Sequence, residues 1–145
     1  MAMKTEGLAA AYAATTYCVF LPQGPLELRL EQANAALVRW LKDEDITAWA
    51  ILTAHNPRSE RFSAAENAER QSSLECKLLE QGYEPYVGEN RADNGQWGAE
   101  ETCFIPKISL PQAIVLARQF GQNALVFGEA DGVPHLSWID DEKNE

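Results

Sequence analysis

Asn56, Ser59, Asn67 and Arg70 are the side chains whose types and spacing give this sequence its clearest capacity for chemistry. They fall where Ile51-Leu-Thr-Ala-His-Asn-Pro-Arg-Ser59 runs into Ser63-Ala-Ala-Glu-Asn67-Ala-Glu-Arg70. An apolar strand thus enters a polar turn, and a helix follows. On that helix, stepping back from Leu78 and Leu74 by four and then three residues reaches Arg70 and Asn67 on one stripe. Polar groups at the mouth of a core need partners or a ligand, because each one buried unpaired costs roughly 1–3 kcal/mol. Helix N-termini attract anions through open N–H groups and the dipole. Arg58, Arg61 and Arg70 form a concentrated positive region at that end. The functional reading is a pocket for a small anionic ligand, a nucleotide or phosphorylated metabolite. The bland reading has Asn56 and Ser59 bonding the turn's own backbone while Arg70 pairs with an interior glutamate.

Glu100 and Glu101 follow Trp97 at the entry of a strand ending near Ile108. Alternation with Phe104 turns one glutamate inward and the other outward, without fixing which. An inward one would suit Arg70 as a charge-assisted pair, or serve as the general base of a hydrolase or transferase. His55 is a further acid/base candidate, Gln122 is placed to reach the same cleft, and Trp97 in its Gly-flanked loop is placed to cover it. A third reading is a non-catalytic interaction or structural protein whose acidic surface meets a basic partner. Whether the chain is an enzyme stays open at this point.

The chain has 145 residues, 46% hydrophobic and 23% charged, with four Trp, four Tyr and five Phe. That is enough for one core and one domain. A net charge of −10 opposes a nucleic-acid backbone and an anionic membrane surface. No run of 18 apolar residues suggests a membrane span. Cys18, Cys76 and Cys103 are odd in number and widely spaced, and His55 and His135 are the only histidines. No zinc spacing results, so no metal or cofactor is expected; Cys18 and Cys103 read as buried thiols in a reduced, cytoplasmic protein.

These residues need a scaffold that alternates strand and helix. Thr15–Leu21 and Leu26–Leu30 read as a hairpin, Gln32 to about Lys42 as a helix, and Ile46–Ala54 as a buried strand. Ser63 with Glu66 forms a capping box, and Gly82 stops that second helix. Tyr83–Val87 reads as a strand, 88–98 as a polar turn region around Asn94-Gly95, and Glu101–Ile108 as a strand. A third helix runs from Ser109 to Phe120, and a terminal hairpin closes the chain through Trp138. The order ββα-βα-ββα-ββ predicts an α+β fold, a mixed, mostly antiparallel sheet with about three helices on it. Residues 1–13 are expected to be a flexible start with at most a helical turn. Residues 14–139 form the single domain, and 140–145 a disordered acidic tail.

Four ordered blocks resemble the bacterial family known as domain of unknown function 3293. They are Leu52-Thr-Ala-His-Asn-Pro-Arg-Ser59, Glu66-Asn67-Ala-Glu-Arg70, Trp97-Gly-Ala-Glu100-Glu-Thr-Cys-Phe104 and Phe120-Gly-Gln-Asn-Ala124. Leu52, His55 and Thr102 depart mildly from the family's usual Ile, aromatic and Ser. The resemblance implies a small bacterial cytosolic domain without an established activity. It singles out Asn56, Ser59, Asn67, Arg70, Glu100 and Gln122.

Overall fold

The computed structural model describes residues 9–55, 61–93 and 99–139. In chain order these form α1 (9–13), β1 (Thr15–Leu21), β2 (Gly24–Leu28), α2 (Ala35–Asp43) and β3 (Ala48–Leu52). There follow α3 (Ala64–Glu80), β4 (Tyr86–Ala92), β5 (Glu100–Pro106), α4 (Leu110–Gln119), β6 (Ala124–Glu129) and β7 (His135–Trp138). The strands build one seven-stranded sheet in the order β2-β1-β4-β5-β3-β6-β7. The fold is α+β, as the sequence predicts. Every described pairing is antiparallel, so the parallel pair that a mixed sheet would contain does not occur among these strands.

Residues directly opposed in an antiparallel ladder share a face. Val126, Ile51, Phe104 and Tyr86 form one such row across four strands. This face packs on Leu37, Trp40 and Leu41 of α2. Trp40, Tyr86 and Trp49 surround the Phe104 ring there, at centroid distances of 5.8, 6.4 and 5.4 Å. The opposite face carries Ala50, Leu52, Cys103, Ile105 and Leu125 against Leu74 and Leu78 of α3 and Ala113, Leu116 and Ala117 of α4. The sheet is therefore sandwiched, with α2 on one side and α3 and α4 on the other.

Local chemistry sets the helix ends. The predicted capping box is present: Ser63 accepts from the Glu66 N–H, and the Glu66 carboxylate accepts from the Ser63 N–H at 2.9 Å. Gly82, at φ +90°, supplies the left-handed residue that ends α3, and the Tyr83 N–H closes onto the Leu78 carbonyl at 3.0 Å. For α2 the start lies later than expected, because Asn34 caps it by accepting from the Leu37 N–H at 2.9 Å. Its end is made by Asp45 in the left-handed region, φ +59°, after which the Ile46 N–H reaches the Leu41 carbonyl at 2.8 Å.

One expectation changes. Residues 88–92 are not turn but the greater part of β4. Gly, Asn and Glu have poor strand propensity, yet β1 and β5 pair this segment on both sides, and tertiary pairing overrides local preference. At the start, 9–13 are helical and Tyr12 packs edge-on against Trp138, centroids 5.8 Å apart. The positions 94–98 and 140–145 lie outside the described residues.

Candidate functional site

The ladder of β3 ends at Leu52, but the chain beyond it is still buried, with Ala54 fully covered. Backbone groups that leave a ladder inside a protein must find other partners. Here side chains supply them. The Ala54 N–H donates to Gln71 Oε1 at 3.0 Å, and its carbonyl accepts from Arg70 Nε at 3.0 Å. The His55 carbonyl accepts from Gln122 Nε2 at 3.1 Å, and the His55 N–H donates to Thr53 Oγ1, also at 3.1 Å. Thr53 in turn donates to the Glu101 carbonyl at 2.7 Å. The corner is thus tied to α3, to the end of α4 and to β5 at once.

Arg70 is the electrostatic centre of this corner. A second guanidinium nitrogen, Nη2, donates to the Phe120 carbonyl at 2.6 Å. The guanidinium carbon also lies 5.8 Å from the centroids of both the Phe62 and Phe120 rings. Its described partners are therefore two carbonyls and two aromatic rings, all neutral. The interior glutamate expected as its partner is not among them. A guanidinium held by neutral groups keeps its full charge, and three of its five N–H donors are not used by these bonds. Asn67, one turn earlier on α3, is buried and donates to the Phe62 carbonyl at 3.4 Å, which positions the ring that flanks Arg70. Asn56, Ser59 and Trp97, also predicted here, lie outside the described residues, as does Arg58.

The two glutamates part company across the sheet. Glu100 opposes Asn90, which opposes Tyr17, so it shares the α2 side with Thr102 and Phe104. Glu101 and Cys103 take the α3 side. There burial first, and then the Glu101 carboxylate with which it shares a hydrogen bond, push the Glu75 carboxyl above its ordinary range. Burial, reinforced by Glu75 and Glu101, lifts the Cys103 thiol to about 12, so it is an inert core thiol. His55 sits at the sheet end, where burial lowers its pKa against the opposing pull of Glu100 and Glu101. Its imidazole is accordingly neutral at pH 7. The described partners of Arg70 and Glu101 thus differ, and Glu100 stands on the far face from α3.

The structure adds five polar side chains that the sequence reading did not single out. Gln71 is 2% exposed and holds both the Ala54 N–H and, at 3.5 Å, Cys103 Sγ. Its spacing was informative: three residues before Leu74 and four after Asn67, it lies on the same buried stripe. Tyr12, Tyr17, Asn90 and Thr102 gather around Glu100 on the other face. Among the described residues no group of three or more His, Cys, Asp or Glu could hold a metal ion, and no helix is long and apolar enough to cross a membrane.

Fold and site together define a small antiparallel α+β domain whose sheet end is locked to its helices by an arginine and two glutamines. The profile of the family described as "Protein of unknown function (DUF3293)" matches residues 52–125, from the end of β3 into β6. The chain belongs to that family. No curated protein and no solved structure matches it.

Proposed function

We propose that this protein binds a small anionic ligand, a nucleotide or phosphorylated metabolite, at the corner where β3 leads into α3. Arg70 is the anchoring cation. The supporting observation is the neutral company it keeps: two carbonyls fix the guanidinium plane and two rings flank it, and none of them cancels its charge. Such a fork is oriented before the anion arrives, which lowers the entropic loss on binding. Planar guanidinium groups match phosphate and carboxylate oxygens in pairs. Arg61 adds positive charge at the start of α3, while Asn67 and Gln122 hold the flanking phenylalanine backbone in place. In this reading Asn56 and Ser59 supply uncharged hydrogen bonds and Trp97 covers the ligand. The neutral imidazole of His55 adds a hydrogen bond without competing for the anion.

A panel of nucleotides, sugar phosphates and inorganic pyrophosphate, titrated calorimetrically against the wild type and Arg70→Lys, tests the proposal. Lysine keeps the charge but lacks the planar fork, so affinity should fall about tenfold or more, the loss of a charge-assisted hydrogen bond. Equal affinity in both proteins, or no binding to any of the anions, would overturn it.

A further inference from the structure

The face of the sheet turned away from α3 carries a polar group of its own. Tyr17, Asn90 and Glu100 lie in one row across β1, β4 and β5, and Val19, Gly88 and Thr102 in the next row inward. Thr102 is 1% exposed, yet its Oγ1 has no hydrogen-bond partner, and neither has the buried Oδ1 of Asn90. Two such neighbours on one face are unusual, since buried polar atoms in native proteins are overwhelmingly paired. Gly88 lies between them and contributes no side chain to the layer. A Cβ there would come within 2.8 Å of Thr102 Oγ1 and 2.3 Å of the Cys18 carbonyl oxygen. The glycine therefore lets the threonine hydroxyl pack close to the β4 backbone without supplying it a hydrogen-bond partner.

We infer that Asn90, Glu100 and Thr102 form a second binding site, separate from the Arg70 corner, for a small organic cation bearing an ammonium group. An amide oxygen and a carboxylate only accept hydrogen bonds, and a threonine hydroxyl can accept one, so the matching ligand is rich in donors. Glu100 gives the place a negative potential. Its charge, after burial, helps push the Tyr12 phenol up to about 12, and it acts on Tyr17 in the same direction. Tyr12, braced by Trp138, adds an aromatic ring of the kind that accompanies ammonium ligands. Asn90 and Glu100 are half-buried at the mouth, and Thr102 is two residues deeper along β5. A net charge of −10 draws cations towards the protein from a distance.

Butylammonium titrated into the protein at physiological ionic strength, followed through the backbone amide resonances of Asn90, Glu100 and Thr102, tests the inference. The expected result is saturable shifts at these amides, weakened about tenfold or more by Glu100→Gln and by Thr102→Val. The exposed Glu80 on the other side of the sheet should be replaceable by Gln without effect. Trimethylbutylammonium carries the charge without N–H donors and should bind more weakly. Thr102→Val removes a hydroxyl with no protein partner, so the free protein should keep or raise its Tm. Equal binding of the two cations, a Glu80→Gln loss as large as that of Glu100→Gln, or undiminished binding by Thr102→Val would overturn the inference. A sharp fall in Tm for Thr102→Val would overturn it too, because the hydroxyl would then have a structural partner. Glu100→Gln should leave pyrophosphate binding intact, which separates this site from the one at Arg70.

Discussion

Arg70 holds Phe120 twice, through a 2.6 Å hydrogen bond from Nη2 to its carbonyl and through the ring centroid 5.8 Å from the guanidinium carbon. With Nε on the Ala54 carbonyl, one side chain from α3 ties the end of β3 to the end of α4. Arg70→Met keeps much of the aliphatic packing but strands the Ala54 carbonyl and leaves the Phe120 carbonyl with Gln122 Nε2 alone. It should lower stability by about 1–3 kcal/mol in urea denaturation, the desolvation cost of one unpaired acceptor. Lysine offers one ammonium for two divergent carbonyls and should recover less than half of that loss.

Gln71 presents the complementary case, a neutral group satisfying a neutral one. Gln71→Leu leaves the Ala54 N–H without its acceptor in a fully buried position. A loss of about 1–3 kcal/mol is expected, with an unchanged denaturant slope, because the unfolded state is unaffected. Amide hydrogen exchange at Ala54 should quicken by more than at Ala50, which stays within the ladder.

The Glu75–Glu101 contact sets a pH dependence of definite sign. Glu75 has a folded pKa above its free value, so the folded chain binds the proton more tightly than the unfolded chain. Its contribution is therefore fully present below the free pKa of 4.5 and is lost as pH rises through the folded value. Glu75→Gln mimics the protonated form. It should stabilise the protein at pH 7 by about 0.5 kcal/mol, reduced by solvent screening, and by nothing at about pH 4. Chemical denaturation of both proteins at the two pH values measures this directly.

Gly88 is needed for close approach rather than for a turn. Gly88→Ala puts a methyl against the Cys18 carbonyl across the β1–β4 ladder, where neither strand can move alone. A destabilisation of about 3 kcal/mol or more is expected, measurable as a lowered Tm. A tolerated alanine would show that the two strands lie farther apart than the structure places them.

Much of the scaffold was legible in the sequence because short-range chemistry decides it. The Ser63–Glu66 capping box, Gly82 and the continuous apolar run of β3 each act within a few residues. What stayed hidden depended on distant partners. Residues 88–92 read as turn because their strand character comes from β1 and β5, which are remote in sequence. Arg70 was legible as a functional cation, but nothing in its spacing could say that its partners would be the carbonyls of Ala54 and Phe120. Alternation placed Glu100 and Glu101 on opposite faces, and only the register with Asn90 and Val87's strand decides which faces the α2 side. Asn90 and Thr102 carried no local signal of being buried without partners, since that follows from three adjacent strands.

The charge on Arg70 is the claim on which the ligand reading stands, and its side-chain resonance reports on it most directly. Inorganic pyrophosphate titrated into the wild-type protein, with the arginine Nε–H signals followed by nitrogen-15 NMR, should shift Arg70 saturably and ahead of the exposed Arg39. An Arg70 signal that stays fixed while surface arginines move together would contradict the account and leave the corner a purely structural joint.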